Sequence, residues 1–298
     1  MRNRDVFSGY HPLVTLLYFV LVLFFTMCLQ HPVSLLGSLL AAMLYTVQLN
    51  GGAALCKSLR YLLPMLLLAM VLNPAFNHAG VTILCYLPGG NPLTLESILY
   101  GVAAAVMLVS VLVWFHCYNV VMTSDKFIYL FGRIIPALSL VLSMTLRFVP
   151  RFQAQLRQVV EAQRCLGRDV RQGTLPQRLK QAVQIVSILV TWAMENAIET
   201  ADSMKSRGYG LPGRTAFAVY RWERRDAYLL CWLLGCGLVL LCGWLSGGLS
   251  WHYYPMVQQF SLTPLRVGMQ FLYLLLCLTP IWLHRKEEWL WQRIRFRD

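Results

Sequence analysis

The stretch ADSMKSRGYG, residues 201–210, sets Arg207 immediately before a glycine at the end of a helical pattern. An arginine there has two uses. The last carbonyls of a helix carry partial negative charge, so a cation is stabilised by its own helix. Alternatively, the planar guanidinium is a fork that pairs bidentately with a carboxylate on a partner, which lysine does not reproduce. Neither use is catalytic. The chain has no HExxH, no Ser-x-x-Lys set and no glycine-rich phosphate loop, the usual signatures of metal-assisted hydrolysis, acyl transfer and nucleotide cleavage. Any use of ATP must therefore reside in another chain. The nine cysteines are scattered without a CxxC pair, so they mark neither a zinc site nor a redox centre and read as small buried hydrophobes. The six histidines are isolated. His116 alone falls inside an apolar run, where a lone histidine is more often a packing residue than a catalyst.

The elements that carry Arg207 follow from composition. The chain is 57% hydrophobic and 13% charged, against roughly a quarter charged in ordinary soluble domains. Residues 12–29, 32–48, 98–122, 228–249 and 267–283 are uncharged apolar runs near the ~20 residues that a spanning helix needs. Residues 61–72 form a weaker sixth run, extended by snorkelling of Lys57 and Arg60. The first run is too long for a signal-peptide core and lacks a small-x-small cleavage site, so it reads as a retained anchor. The fold class expected is an all-α integral membrane protein, with about six transmembrane helices and two long cytoplasmic helices.

The net charge of +13 raises the question of nucleic acid, and the placement of the cations answers it. Arg2 and Arg4 precede the first run, Lys57 and Arg60 the third. A dense group fills residues 126–225, and Arg285, Lys286, Arg293, Arg295 and Arg297 follow the last run. Residues 73–94 and 250–264 contain no lysine or arginine, and only Arg266 lies just beyond. Six spans with both termini cytoplasmic satisfy the positive-inside rule throughout. Topology in a cell membrane accounts for the charge, and nucleic acid is not needed. An intramembrane enzyme is disfavoured as well. Catalysis inside a bilayer uses ionisable groups within spans, and the five strong runs carry none, Glu96 only bordering the fourth span.

This divides the chain into spans one to four (residues 1–125), a cytoplasmic region (126–226), and spans five and six with a tail (227–298). In the outer loop, Asn73-Pro74 and Pro88-Gly89-Gly90 are turn signals. Residues 81–86 between them read as a short strand or a re-entrant piece. Thr94 has the character of an N-cap, with Glu96 in the first turn, where the helix dipole favours a carboxylate.

Within 126–226 two segments share one plan. Residues 134–146 and 182–194 are apolar but shorter than a span, and each leads into an amphipathic stretch that stops at a glycine, Gly167 or Gly208. In the first, Phe152, Leu156, Val159 and Val160 share one helical face and Arg157, Glu161, Arg164 and Arg168 another. In the second, Glu195, Glu199 and Asp202 lie apart from Ile198, Ala201 and Lys205. Pro150 is expected to kink the first helix and Pro176 to precede the second. A helix over 177–207 would run about 45 Å. Such a pair either lies on an anionic leaflet or reaches a partner beyond the membrane; narrow apolar faces and glycine-ended tips favour the partner.

SRGYGLPGRTAF (206–217) resembles the second arginine signature of the T components of energy-coupling factor (ECF) transporters, a class of ABC transporter. TLRFVPRFQAQLRQVVEAQRCLG (145–167) is similar to that family's first coupling helix, and TLESILYG (94–101) and HPLV (11–14) also resemble it. The resemblance implies a non-catalytic subunit that binds two cytoplasmic ABC ATPases and a membrane-embedded substrate-binding S component. It implies no cofactor in this chain, ATP and Mg being held by the ATPases, and a substrate that is a vitamin, cobalt or nickel. Carried over, Arg207 would enter an acidic ATPase groove, with Ser206 and Gly208 giving close approach and termination. The first tip aligns as Cys165-Leu166-Gly167. Leu166 stands where the family has arginine, so either that contact is apolar or Arg164 or Arg168 serves it. The rival resemblance is to the permease of a conventional ABC importer, through Glu161-Ala162 and Gly167, but the Ile-x-Leu-Pro that should follow is missing.

Overall fold

Two His-Pro pairs start the first two long helices. In the computed structural model, which describes residues 5–77, 79–86, 92–132, 136–209, 220–256 and 263–295, His11 and His31 cap α1 (Pro12–Cys28) and α2 (Pro32–Asn50). Each imidazole Nδ1 accepts the N–H two residues on, from Leu13 or Val33, at 3.3 Å. Each proline takes the first helical position, where an N–H has no intrahelical partner anyway.

The chain forms two compact units, one of Met1–Phe127 with Tyr220–Asp298 and one of Ile128–Val219. The first holds α1, α2, α3 (Gly52–Phe76), α4 (Leu95–Val121), α8 (Arg224–Leu245) and α9 (Pro264–Arg295), together with the start of α5 (Ser124–Gly132). The six long helices are those anticipated from the apolar runs. Among the described residues, α2, α4, α8 and the Pro264–Leu290 part of α9 are long and apolar enough to cross a membrane, whereas Pro12–Cys28 and Leu62–Phe76 are shorter apolar helices. The chain is an all-α, multi-pass membrane protein.

Polar side chains buried inside this bundle satisfy one another. The Thr26 hydroxyl lies 2.8 Å from Tyr273 Oη and 3.2 Å from Ser38 Oγ. Ser38 Oγ in turn lies 3.1 Å from Ser110 Oγ and accepts the Trp114 indole N–H at 3.0 Å. Tyr18 Oη donates to the Cys277 carbonyl at 3.0 Å. α1, α2, α4 and α9 are thereby tied by groups that would be costly if left unpaired away from water. His116 is exposed, 3.1 Å from the Asn50 amide at the end of α2.

Within residues 81–86 the last four form a strand. β1 (Ile83–Tyr86) pairs antiparallel with β2 (Pro92–Thr94); Pro88-Gly89-Gly90 lies outside the described residues. Thr94 Oγ1 accepts the Ser97 N–H at 3.3 Å as the cap of α4. Glu96 is enclosed rather than at an open border, and its Oε1 accepts the Thr82 N–H at 3.2 Å and the Thr82 hydroxyl at 2.8 Å. Gly101 lets α4 meet α3, because a Cβ there would stand 2.9 Å from the Met70 carbonyl oxygen.

At the other end of the unit lies a buried ionic group that the sequence reading did not single out. Tyr45 Oη donates to Asp5 Oδ2 at 2.8 Å. Lys126 on α5, also buried, donates from Nζ to the carbonyls of Ser8 at 2.6 Å and Val121 at 3.1 Å. Burial raises the Asp5 carboxyl against the opposing pull of Tyr45 and His284. Burial likewise lowers the Lys126 ammonium, and Asp5 opposes that shift. Asp226 accepts the backbone N–H of His11 at 3.1 Å and of Glu223 at 3.0 Å, joining the start of α8 to the start of α1. Arg2, Arg4 and Arg297 lie outside the described residues.

Candidate functional site

The residues singled out from sequence sit at two helix ends in the second unit. α6 (Pro136–Cys165) is continuous through Pro150, and α7 (Leu175–Ser206) doubles back from it. Ile134 and Ile135, at the start of the first apolar segment, lie outside the described residues. α7 begins two residues earlier than the 177–207 reading, because Thr174 is its N-cap and Pro176 falls in the first turn; the Gln177 side chain accepts the Thr174 N–H at 3.1 Å. At 32 residues it is about 48 Å long.

The hairpin is held by an aromatic contact absent from the periodicity argument. Phe152 packs edge-on against Trp192 with ring centroids 5.3 Å apart, and the Arg151 guanidinium lies 5.7 Å from the same indole. Val159 and Ile185 are buried, as is Asn196. Measured along the helices from the Phe152–Trp192 contact, Leu166 and Arg207 lie about 21 Å and about 22 Å away. Because α7 reverses direction, the two tips occupy opposite ends of the hairpin.

The tips are built alike. In the first, Gly167 N–H donates to the Arg164 carbonyl at 3.0 Å and Arg168 N–H to Gln163 at 2.9 Å. In the second, Gly208 N–H donates to Lys205 at 3.0 Å and Tyr209 N–H to Met204 at 3.0 Å. Both patterns are the Schellman motif, in which a left-handed glycine reverses the chain and satisfies the last carbonyls. Gly167 has φ +76° and Gly208 φ +79°. Cys165 and Ser206 are therefore equivalent, and Leu166 and Arg207 both occupy the C-cap.

What each tip presents differs. Arg207 is exposed and makes no side-chain hydrogen bond or ion pair among the described residues. Ser206 Oγ donates to the Ser203 carbonyl at 2.9 Å. Leu166 is 69% exposed. The two cations that flank it are engaged. Arg164 Nε lies 3.5 Å from Asp169 Oδ2, and Arg168 Nη1 donates to Gln184 on α7 at 3.3 Å. Gln184 is not recognisable from sequence as a partner, because it comes near only when α7 folds back. Gly210 to Phe217 of the arginine signature lie outside the described residues. α7 also carries a row of exposed apolar side chains, Leu179, Val183, Val186, Val190 and Met194, that the sequence reading did not identify. Among the described residues no three His, Cys, Asp or Glu side chains gather closely enough to hold a metal ion.

A family model described as CbiQ, cobalt transport protein, matches residues 5–217. The chain is 36% identical over 107 residues to energy-coupling factor transporter transmembrane protein EcfT 1 of Listeria monocytogenes serotype 1/2a (strain 08-5578), covering 35% of this chain and 40% of that relative. It is 37% identical over 106 residues to the EcfT protein of Lactobacillus helveticus (strain DPC 4571), covering 35% and 38%. With the EcfT protein of Exiguobacterium sibiricum it shares 33% over 112 residues, covering 37% and 42%. The matched stretch thus spans about two fifths of each relative's length.

Proposed function

The chain belongs to the family described as CbiQ, cobalt transport protein, and from that premise we propose that it is the energy-coupling transmembrane subunit of an ECF-type ABC importer. It couples two cytoplasmic ATPases to a membrane-embedded S component that binds a vitamin or a transition-metal ion. ATP and Mg belong to the ATPases, and both termini of this chain are cytoplasmic. The observation that carries the reading is the pair of matching glycine-capped tips, at opposite ends of one helical hairpin, each offering a C-cap side chain outward.

Arg207 presents its guanidinium to a carboxylate in an ATPase groove, with Ser206 and Gly208 permitting close approach. Cys165, Leu166 and Gly167 form the other contact, which is apolar at Leu166. Commitment of Arg164 to Asp169 and of Arg168 to Gln184 favours that choice over a substituted arginine. One ionic and one apolar tip fit a pair of non-identical ATPases. The exposed apolar row on α7 supports a membrane-embedded partner for the same hairpin. ATP-driven closure of the ATPases then moves α6 and α7 as levers and reorients the S component.

The test is affinity purification of the tagged full-length chain from its native membranes in mild detergent. Two ATPase chains and a small substrate-binding membrane protein are expected to come with it. Recovery without an ATPase, under conditions where the chain remains folded, overturns the reading. Recovery with a soluble solute-binding protein in place of an S component replaces it by the conventional importer.

A further inference from the structure

The end of α9 carries its cations and its acids on opposite faces. Trp282, Lys286, Trp289 and Arg293 fall at i, i+4, i+7 and i+11, one stripe of a helix. Both rings are exposed, Trp282 at 62% and Trp289 at 50%. The Lys286 ammonium lies 5.3 Å from the Trp282 ring, and the Arg293 guanidinium 3.6 Å from the Trp289 ring. On the far side Glu288 Oε1 lies 3.2 Å from His284 Nε2, and Glu287 Oε1 lies 3.9 Å from Arg225 Nη1. Each acid of this segment thus has a partner on the side away from that stripe. Arg285, Lys286 and Arg293 remain exposed and make no ion pair among the described residues.

We propose that this face of α9 binds anionic phospholipid, the two indoles seating at the headgroup level and Lys286 and Arg293 holding lipid phosphates. Length places it there. The 32 residues of α9 rise about 48 Å against ~30 Å of hydrocarbon, so roughly its last dozen residues leave the apolar layer. Pro280 lies one helical turn before that exit. It removes the hydrogen bond to the carbonyl four residues back, so a bend there toward the leaflet surface would break no further bond. Indole rings favour the membrane–water interface, and a guanidinium takes phosphate bidentately. A cation already stacked on a ring loses less freedom when it meets a headgroup. Glu287 and Glu288 lie on the far side of the helix from that stripe, which distances their charge from the lipid. The surface lies wholly in the first unit and does not depend on the ATPase reading.

Native mass spectrometry of the full-length chain in mild detergent tests this, with phosphatidylglycerol and phosphatidylcholine titrated separately. The unsubstituted chain retains phosphatidylglycerol preferentially. A basic residue near an anionic surface contributes about fivefold to binding, so Lys286→Gln with Arg293→Gln lowers phosphatidylglycerol retention about 25-fold and leaves phosphatidylcholine unchanged. Exchange of the two cations, Lys286→Arg with Arg293→Lys, restores retention and shows that the fold survives substitution. Arg157→Gln with Arg171→Gln, which removes the same charge from the second unit, leaves retention intact. Equal retention of the two lipids by the unsubstituted chain overturns the proposal, as does full retention by the Gln pair. So does displacement by free glycerol phosphate at the lipid's own concentration, or a cation-dependent complex with an acidic protein in place of the lipid.

Discussion

The Nδ1 atom of His284 faces Oδ1 of Asp5 across 4.0 Å with no hydrogen bond between them. Both side chains are enclosed. On its other side His284 Nε2 meets Glu288 Oε1 at 3.2 Å, so the ring stands between two carboxylates. Tyr45 Oη, the Gln48 amide 3.5 Å from Oδ1, the backbone of Phe7 and Ser8 and the Lys126 ammonium also face that carboxylate.

A proton on Asp5 would remove the buried negative charge of its carboxyl. Burial raises the Asp5 carboxyl above its usual value of 3.8, so the native state takes that proton before the unfolded chain does. The resulting stabilisation is complete below 3.8 and is lost as pH rises through the raised native value. Amide hydrogen exchange in residues 5–11, corrected for intrinsic rate, is expected to slow as pH falls from neutral. Asp5→Asn, which has no charge to bury, should give the slow rate at neutral pH. Corrected exchange that ignores both pH and Asp5→Asn refutes the relationship.

His31 titrates in the opposite sense. Burial, and then the charge of Arg266, holds its imidazole below the ordinary 6.5, and Nδ1 must keep its lone pair to cap α2. The unfolded chain therefore binds a proton at higher pH than the native one. The contribution is present above 6.5 and is lost as pH falls through the lowered native value. At neutral pH His31→Ala should cost about 1 kcal/mol. His31→Asn should retain the cap and remove this part of the pH dependence of thermal unfolding in detergent.

Arg207→Glu should leave membrane insertion and folding intact while uncoupling transport from ATP hydrolysis, because it sets like charge against the acidic ATPase groove proposed for Arg207. Normal uptake by that variant with the ATPases bound would remove the role assigned to Arg207. Leu166→Arg should be tolerated, since Leu166 occupies the same C-cap position as Arg207 and is exposed. Loss of ATPase binding there would mean that the first tip docks differently.

The two tip glycines should matter through backbone alone. Gly167 has φ +76° and open space beside it, with no atom within 4 Å of where a Cβ would stand. Gly167→Ala should cost about 1 kcal/mol of local order. It should weaken ATPase co-purification while the thermal unfolding of the membrane spans stays put. Gly167→Asn should lie between, since asparagine tolerates the left-handed region better than alanine.

Gly101→Ala tests the contact between α3 and α4. A Cβ 2.9 Å from the Met70 carbonyl, with Pro74 Cδ at 3.3 Å, forces backbone rather than a flexible side chain to yield. The expected loss is about 1–3 kcal/mol, read as a lower unfolding temperature. An unchanged temperature would show that the two helices separate freely.

Local chemistry made much of this protein legible in its sequence. The bilayer imposes length and composition on any helix that crosses it, so the apolar runs announced α1, α2, α4, α8 and α9 directly. Thr94 and the paired glycines Gly167 and Gly208 marked helix ends because caps act over three or four residues. What tertiary structure decided was the identity of partners brought together from far along the chain. Asp5 reads as an ordinary acid near the N-terminus until α2, α5 and α9 bring Tyr45, Lys126 and His284 around it. Residues 83–86 are too short to show a period, and only pairing with β2 makes them a strand. At the first tip Leu166, Arg164 and Arg168 were equivalent candidates. Asp169 and Gln184 hold the two arginines, which stay exposed, and Gln184 reaches Arg168 only after α7 has folded back, whereas Leu166 is exposed at the C-cap itself.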